Sequence, residues 1–216
     1  RHAGATAAGS KVIESASGNT AVENYYDCSY QKWQLEMNKF AGKAKVPYYV
    51  PFVKPHFKCA EFGASSGNIL AAMPCAQKVA IEINDCARKW GETNLGLKYV
   101  ARVEELIESG SEGTFDFVYT SSVLEHVECP ICEVRKIFRL LKPGGTFYCQ
   151  VPGMAISSMV WKPNDVNNEL QMFGALEAGN MLVGAGFQVQ QAECTTEITA
   201  WPFVDLDRFD EVVKQG

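Results

Sequence analysis

What this chain lacks narrows its function first. None of its apolar runs approaches the ~20 residues that a membrane-spanning helix needs, so no membrane partner is expected. Positive charge is not in excess: 20 Lys+Arg stand against 25 Asp+Glu, a net charge of −5. Such a balance argues against a surface that neutralises phosphates, and nucleic acid is not an expected partner. No Gly-Lys-Ser/Thr follows a glycine-rich loop, which excludes a P-loop. The first 20 residues hold no apolar core of a signal peptide. A zinc site is half missing, because Cys129-Pro130-Ile131-Cys132 has no second C-x-x-C and no H-x₃-H to complete it, and no metal is expected.

Cysteine is not scarce, with eight residues at 28, 59, 75, 86, 129, 132, 149 and 194. A secreted disulfide framework is denser and sits in a shorter chain. Cys59 and Cys149 lie in apolar runs, where cysteine behaves as a small hydrophobe. Reduced, mostly structural thiols and a cytoplasmic setting are the expectation. Residues 1–22 read as a flexible tail rich in Ala, Gly, Ser and Thr, either mobile or the stub of a transit peptide for an organelle. Residues 204–216 read as a C-terminal segment that stops short.

At 216 residues, 47% hydrophobic and 21% charged, the chain has the make-up of one globular domain with an appendage. An aromatic-rich helical lead-in spans 23–55, and a core spans 56–203. Within the core, β-like runs alternate with helical ones. Strands are expected at 57–62, 78–83, 98–102, 115–121, 145–151, 187–193 and 195–201. Helices are expected at 68–73, from the N-cap Asn84 to Gly96, at 130–141 and at 175–183. This alternation predicts an α/β fold, with a doubly wound, mainly parallel seven-stranded sheet and helices on both faces.

In such sheets ligands bind beyond the carboxyl ends of the strands. The first strand ends in Glu61-Phe62-Gly63-Ala64-Ser65-Ser66-Gly67, where small residues permit a sharp turn and close approach. Glu82 ends the second strand 19 residues after Gly63, the spacing at which a carboxylate can hydrogen-bond ribose hydroxyls. The loop is G-x-x-x-G rather than the dinucleotide pattern G-x-G-x-x-G. An acidic Glu61 before it would repel pyrophosphate and could pair with the ammonium of an amino-acid moiety. An adenosyl amino acid fits this pair of features better than a dinucleotide.

From about Tyr25 to Trp201 the chain resembles the class I S-adenosylmethionine-dependent methyltransferases, of Rossmann-like fold. Glu61, Gly63 and Gly67 match the family's first motif, with Ser65 in place of its middle glycine, and Glu82 matches the acidic end of its second strand. "FDFVYTSSVLEHV" and "IFRLLKPGGTFYCQVP" look like its fourth-strand and fifth-strand segments. The resemblance implies that S-adenosylmethionine is the cofactor and S-adenosylhomocysteine the product. It implies that Glu61, the backbone of Gly63 and Ala64, and Gly67 hold the methionine end. Glu82 would hold the ribose and Ile83 the adenine, with Val103 and Glu104 where adenine is read. Arg102 stands where many members have Asp. Ser121 would lie near the sulfonium, and Tyr26, with Tyr25, Tyr30 and Trp33, would form an aromatic lid.

His126, just past the fourth strand, is the candidate base for an acceptor that must lose a proton; the competing reading is a loop histidine bonded locally. The Trp161-Lys162-Pro163-Asn164-Asp165 loop is expected on the acceptor side. Thr120-Ser121-Ser122-Val123 replaces the Asn/Asp-Pro-Pro-aromatic run of members that methylate base nitrogens, so a small-molecule acceptor is favoured, methylated by in-line displacement. The alternatives are a degenerate cofactor-binding or scaffolding protein of the same fold, a metalloid methyltransferase using Cys129 and Cys132, and a NAD-dependent oxidoreductase.

Overall fold

The computed structural model describes residues 26–153 and 168–194. Five strands pair in parallel: β1 (Lys58–Phe62), β2 (Gln77–Ile81), β3 (Lys98–Val100), β4 (Phe115–Ser121) and β5 (Leu141–Gln150), in the order β3-β2-β1-β4-β5. The order reverses direction between β1 and β4, and an open sheet offers its crevice at such a point.

Period-2 alternation divides each strand between two cores, as expected where helices cover both faces. Cys59, Ala80, Phe117 and Tyr119 face one side, and Ala60, Val79, Ile81 and Val118 the other. Helices α1 (Cys28–Tyr49), α2 (Asn68–Ala72) and α3 (Asp85–Leu95) are those of the first side. Helices α4 (Val103–Glu108) and α5 (Pro130–Leu140) are those of the second, and α6 (Ala175–Gly184) packs beyond α5. Fully buried Leu70, Phe117 and Ile137 each contribute about 1.5–3 kcal/mol by leaving water.

Local chemistry sets the helix ends. The Asn84 side chain accepts from Cys86 N and Ala87 N at the start of α3, and Gly96 closes it in the left-handed region. Asp27 caps α1 by accepting from Ser29 N and Tyr30 N. At the other end of α1, Tyr49 is fully buried, with its ring 4.5 Å from that of Tyr119. The lead-in is therefore tied into the core.

Three expectations change. The sheet has five strands among the described residues, not seven. Residues 187–193 form no strand and pair with no other: Phe187 and Val189 are half-buried, their neighbours face water, and the chain bends at Gln190. Phe187 packs on the rings of Phe138 and Phe147; an apolar alternation records such a contact, not backbone pairing. The expected strand at 195–201 lies outside the described residues. Second, the fifth strand begins at Leu141, ahead of the Pro143-Gly144-Gly145 stop. Leu141 pairs with Phe115, and the register then jumps so that Phe117 meets Thr146. Third, Cys28 is bonded to Cys86 and Cys129 to Cys132, so four of the eight thiols expected to be reduced are paired. Cys59 and Cys75 are buried as free thiols.

Candidate active site

The carboxyl ends of β1, β2 and β4 bring Glu61, the loop 63–67, Glu82 and Ser121 together. Gly63 has φ +74°, and a Cβ there would lie 2.3 Å from Val123 Cγ2. Gly67 has φ +76°, and a Cβ would meet Leu97 Cδ1 and Tyr99 Oη, both at 2.4 Å. Both positions are closed to any side chain. The N–H groups of Gly63 and Ala64 both donate to the Ile81 carbonyl, at 2.8 and 3.1 Å. They are therefore not donors to a ligand, and what the resemblance offered there reduces to a close backbone approach.

Glu82 is half-buried. Its Oε2 accepts from Ser65 N at 2.7 Å and its Oε1 from Asn84 N at 2.8 Å. Two backbone donors fix the carboxylate's orientation and leave lone pairs toward the opening. Its pKa is nevertheless raised, because desolvation outweighs those bonds. Glu61 is buried, and Tyr119 Oη donates to its Oε2 at 2.9 Å. Burial pushes its pKa up to about 8, against the lowering effect of Tyr119, the Leu70 amide and the Lys45 charge.

Ser65, which replaces the family's middle glycine, has φ +46°. A left-handed non-glycine residue costs roughly 1–2 kcal/mol. Helix α1 offsets that cost: Asn38 Nδ2 donates to Ser65 Oγ at 2.8 Å, and the hydroxyl lies 3.2 Å from both Gln31 Oε1 and Gln34 Oε1. Further along α1, Lys45 Nζ donates to Ser121 Oγ at 2.7 Å. Ser121 Oγ and Tyr49 Oη in turn donate to Gln150 Oε1, at 3.2 and 3.1 Å. The Cys28–Cys86 bond and the Asn84 Nδ2 donation to the Asp27 carbonyl, 2.8 Å, hold the start of α1 beside Glu82.

His126 ends a 3-10 turn, Leu124–His126, just beyond β4. Its Nδ1 is 3.4 Å from the Asn168 carbonyl and its Nε2 is 3.5 Å from Glu125 Oε1. Glu125 is buried, its Oε2 has no hydrogen-bond partner among the described residues, and burial raises its pKa to about 7. The Tyr26 ring meets His126 edge-on at 5.8 Å and Tyr30 at 4.7 Å, while Trp33 beside Tyr30 is half exposed. Tyr25 and the 161–165 loop lie outside the described residues.

Two expected residues point elsewhere. Val103 is buried in the core under α4, and Glu104 pairs with Lys136 of α5 at 2.5 Å. Ile83 follows Glu82 and is half-buried. Gln31, Gln34, Asn38, Lys45 and Gln150 were not singled out by the sequence. The available signal was a polar stripe, with 31, 34 and 38 at i, i+3, i+7 on one helix face, hidden behind the aromatic residues of the same segment.

The residues present suit an adenosyl amino acid. An anchored, half-buried carboxylate stands at the ribose spacing, and the loop beside it admits no side chain at either end. On helix α1, against that loop, a buried Gln31 amide nitrogen lacks a partner among the described residues.

Among curated proteins none matches the sequence significantly. A family described as "Methyltransferase domain" matches residues 31–192. Solved structures share the fold at low identity. A Haloferax volcanii chain in complex with the Trm112 methyltransferase activator is 18% identical, with TM-score 0.62 and coverage of 79% of this chain and 77% of that one. A SAM-dependent methyltransferase from Archaeoglobus fulgidus is 16% identical, with TM-score 0.59 and 74% of each chain covered. One from Thermotoga maritima is 16% identical, with TM-score 0.59 and coverage of 78% and 82%. With most of its length matched by that family and its parallel sheet reversing between β1 and β4 as in the solved methyltransferase structures, the chain belongs to the methyltransferase-domain family.

Proposed function

We propose that this chain transfers the methyl group of S-adenosylmethionine to a small-molecule acceptor by in-line displacement. The observation that carries the reading is Glu82, oriented by Ser65 N and Asn84 N beside a loop that admits no side chain at Gly63 or Gly67. The bound cofactor supplies an electrophilic methyl on positively charged sulfur.

The chain's own work is to bind, orient and exclude water. Glu82 accepts from ribose hydroxyls. Glu61 and Glu125 place carboxyl groups near a cationic ligand, and a positive charge there favours their ionised forms. Helix α1, with Lys45 bridging to Ser121, covers the strand ends and keeps water from the reacting atoms. His126 stands where a proton leaving the acceptor can be taken at Nε2. Nδ1 then donates to the Asn168 carbonyl, and the Glu125 carboxylate beside Nε2 stabilises the resulting imidazolium.

Ser65 in place of glycine motivated the alternative of an inactive scaffold. Its hydroxyl accepts from Asn38 and lies within donating distance of the Gln31 and Gln34 side-chain oxygens, which ties the replacement to α1, so the enzyme reading is preferred. Isothermal titration of the purified chain with S-adenosylmethionine tests the proposal. Saturable one-site binding is expected, and absence of binding would remove the enzyme reading.

A further inference from the structure

The polar side chains that α1 turns toward the cofactor loop are satisfied, with one exception. Gln34 Nε2 donates to Tyr30 Oη at 2.6 Å, and Asn38 Nδ2 donates to Ser65 Oγ at 2.8 Å. Gln31 is only 5% exposed, and its Oε1 faces the Ser65 hydroxyl at 3.2 Å. Its Nε2 has no partner among the described residues. An amide nitrogen left unpaired away from water is destabilising. Such a group, next to a ligand loop, is satisfied when the ligand brings an acceptor.

The ligand in the proposed function carries an anionic group of its own, the α-carboxylate of its amino-acid end. The strand ends do not suit that group. They present Glu61, Glu82 and Glu125, which are acceptors when ionised and repel a carboxylate. The N–H groups of Gly63 and Ala64 are already engaged by Ile81. A donor for the carboxylate must therefore come from the opposite wall, which is α1. Gln31 Nε2 has two hydrogens there, on an amide whose oxygen is held by Ser65.

We propose that Gln31 is a cofactor-binding residue whose Nε2 donates to the α-carboxylate, with the Ser65 hydroxyl as the positioning group for the amide. The residue in the family's glycine position thus serves recognition by orienting a lid side chain. This inference rests on the S-adenosylmethionine reading above.

The test is calorimetric titration of the full chain with two probes. S-adenosylhomocysteine carries the α-carboxylate, and 5′-methylthioadenosine keeps the nucleoside thioether without it. Q31A is expected to weaken S-adenosylhomocysteine about 10-fold, the range of one lost hydrogen bond to a charged group. Binding of 5′-methylthioadenosine should stay within about two-fold, since its contacts lie on the strand ends. Q31M, of similar length and without donors, should repeat the pattern and covers the case in which Q31A fails to fold. Equal weakening of both probes overturns the inference, because it points to lid packing. Unchanged S-adenosylhomocysteine affinity in either folded variant also overturns it. If the unaltered chain binds neither probe, the cofactor reading fails first and takes the inference with it, which distinguishes the two failures.

Discussion

The two walls of the site differ in how their side chains are held and in what they offer a ligand. The sheet wall is fixed by backbone: Glu82 is gripped by two amides, and Gly63 and Gly67 are held where no side chain fits. The lid wall, α1, is fixed by side chains, through Gln31, Gln34 and Asn38 on Ser65 and Lys45 on Ser121. Carboxyl groups dominate the first wall, and amides and an ammonium face it from the second. A zwitterionic ligand needs both kinds of partner, and here each kind comes from a different layer of the fold. The sheet wall stores its order in the core, whereas the lid's order depends on a handful of polar contacts and one covalent bond.

Three changes would break or sharpen this contrast. The largest effect is expected at Glu82. E82A leaves Ser65 N and Asn84 N without their acceptor and removes the ribose partner, so S-adenosylhomocysteine affinity should fall roughly 30- to 100-fold. The same variant should lower the urea midpoint, and retention of wild-type affinity would contradict the assignment of the sheet wall.

Second comes C28S, which opens the bond to Cys86 across a sequence separation of 58. Disulfides of this kind contribute about 2–4 kcal/mol. The loss is expected to concentrate in the lid. Limited proteolysis should cut within α1 faster than in the wild type, while hydrogen exchange in β1 and β4 keeps its protection. Uniform loss of protection through the sheet would show that the two walls do not differ as described.

The smallest effect is a pH dependence. Glu61 has a folded-state pKa of about 8, above that of an exposed carboxyl, because the group is buried. A raised folded pKa favours folding fully below the unfolded pKa, and that contribution is lost as pH rises through the folded value. Glu125, at about 7, acts in the same direction. The melting temperature of the unliganded chain should therefore fall between about pH 5 and pH 8, and E61Q should flatten part of that fall. A melting temperature that rises over this interval in the wild type would contradict the burial of both groups.

Much of the sheet wall was legible in the sequence, because strand ends and glycine turns are written in consecutive residues. Glu61, Gly63, Gly67 and Glu82 were placed by spacing, and Asn84 and Gly96 by their capping chemistry. The lid wall was less so. Gln31 and Lys45 act on Ser65 and Ser121, partners 34 and 76 residues away, and local pattern holds no record of such distances. The short helix α4 leaves little periodic signal, and it turns the Val103 side chain into the core and Glu104 toward Lys136. Cys129 and Cys132 carry a local C-x-x-C signal, but Cys28 and Cys86 carry none, and their pairing follows only once α1 lies against α3.

That pairing also has a mechanical consequence. Chain from residue 28 to residue 86 forms a closed covalent ring that contains the lid, β1, the 63–67 loop and β2. Helix α1 is pinned at its first residue by sulfur and near its last by the buried Tyr49 ring. A rod held at both ends cannot swing outward like a door. Opening of this wall by a swing of α1 therefore requires that the Cys28–Cys86 bond be broken first.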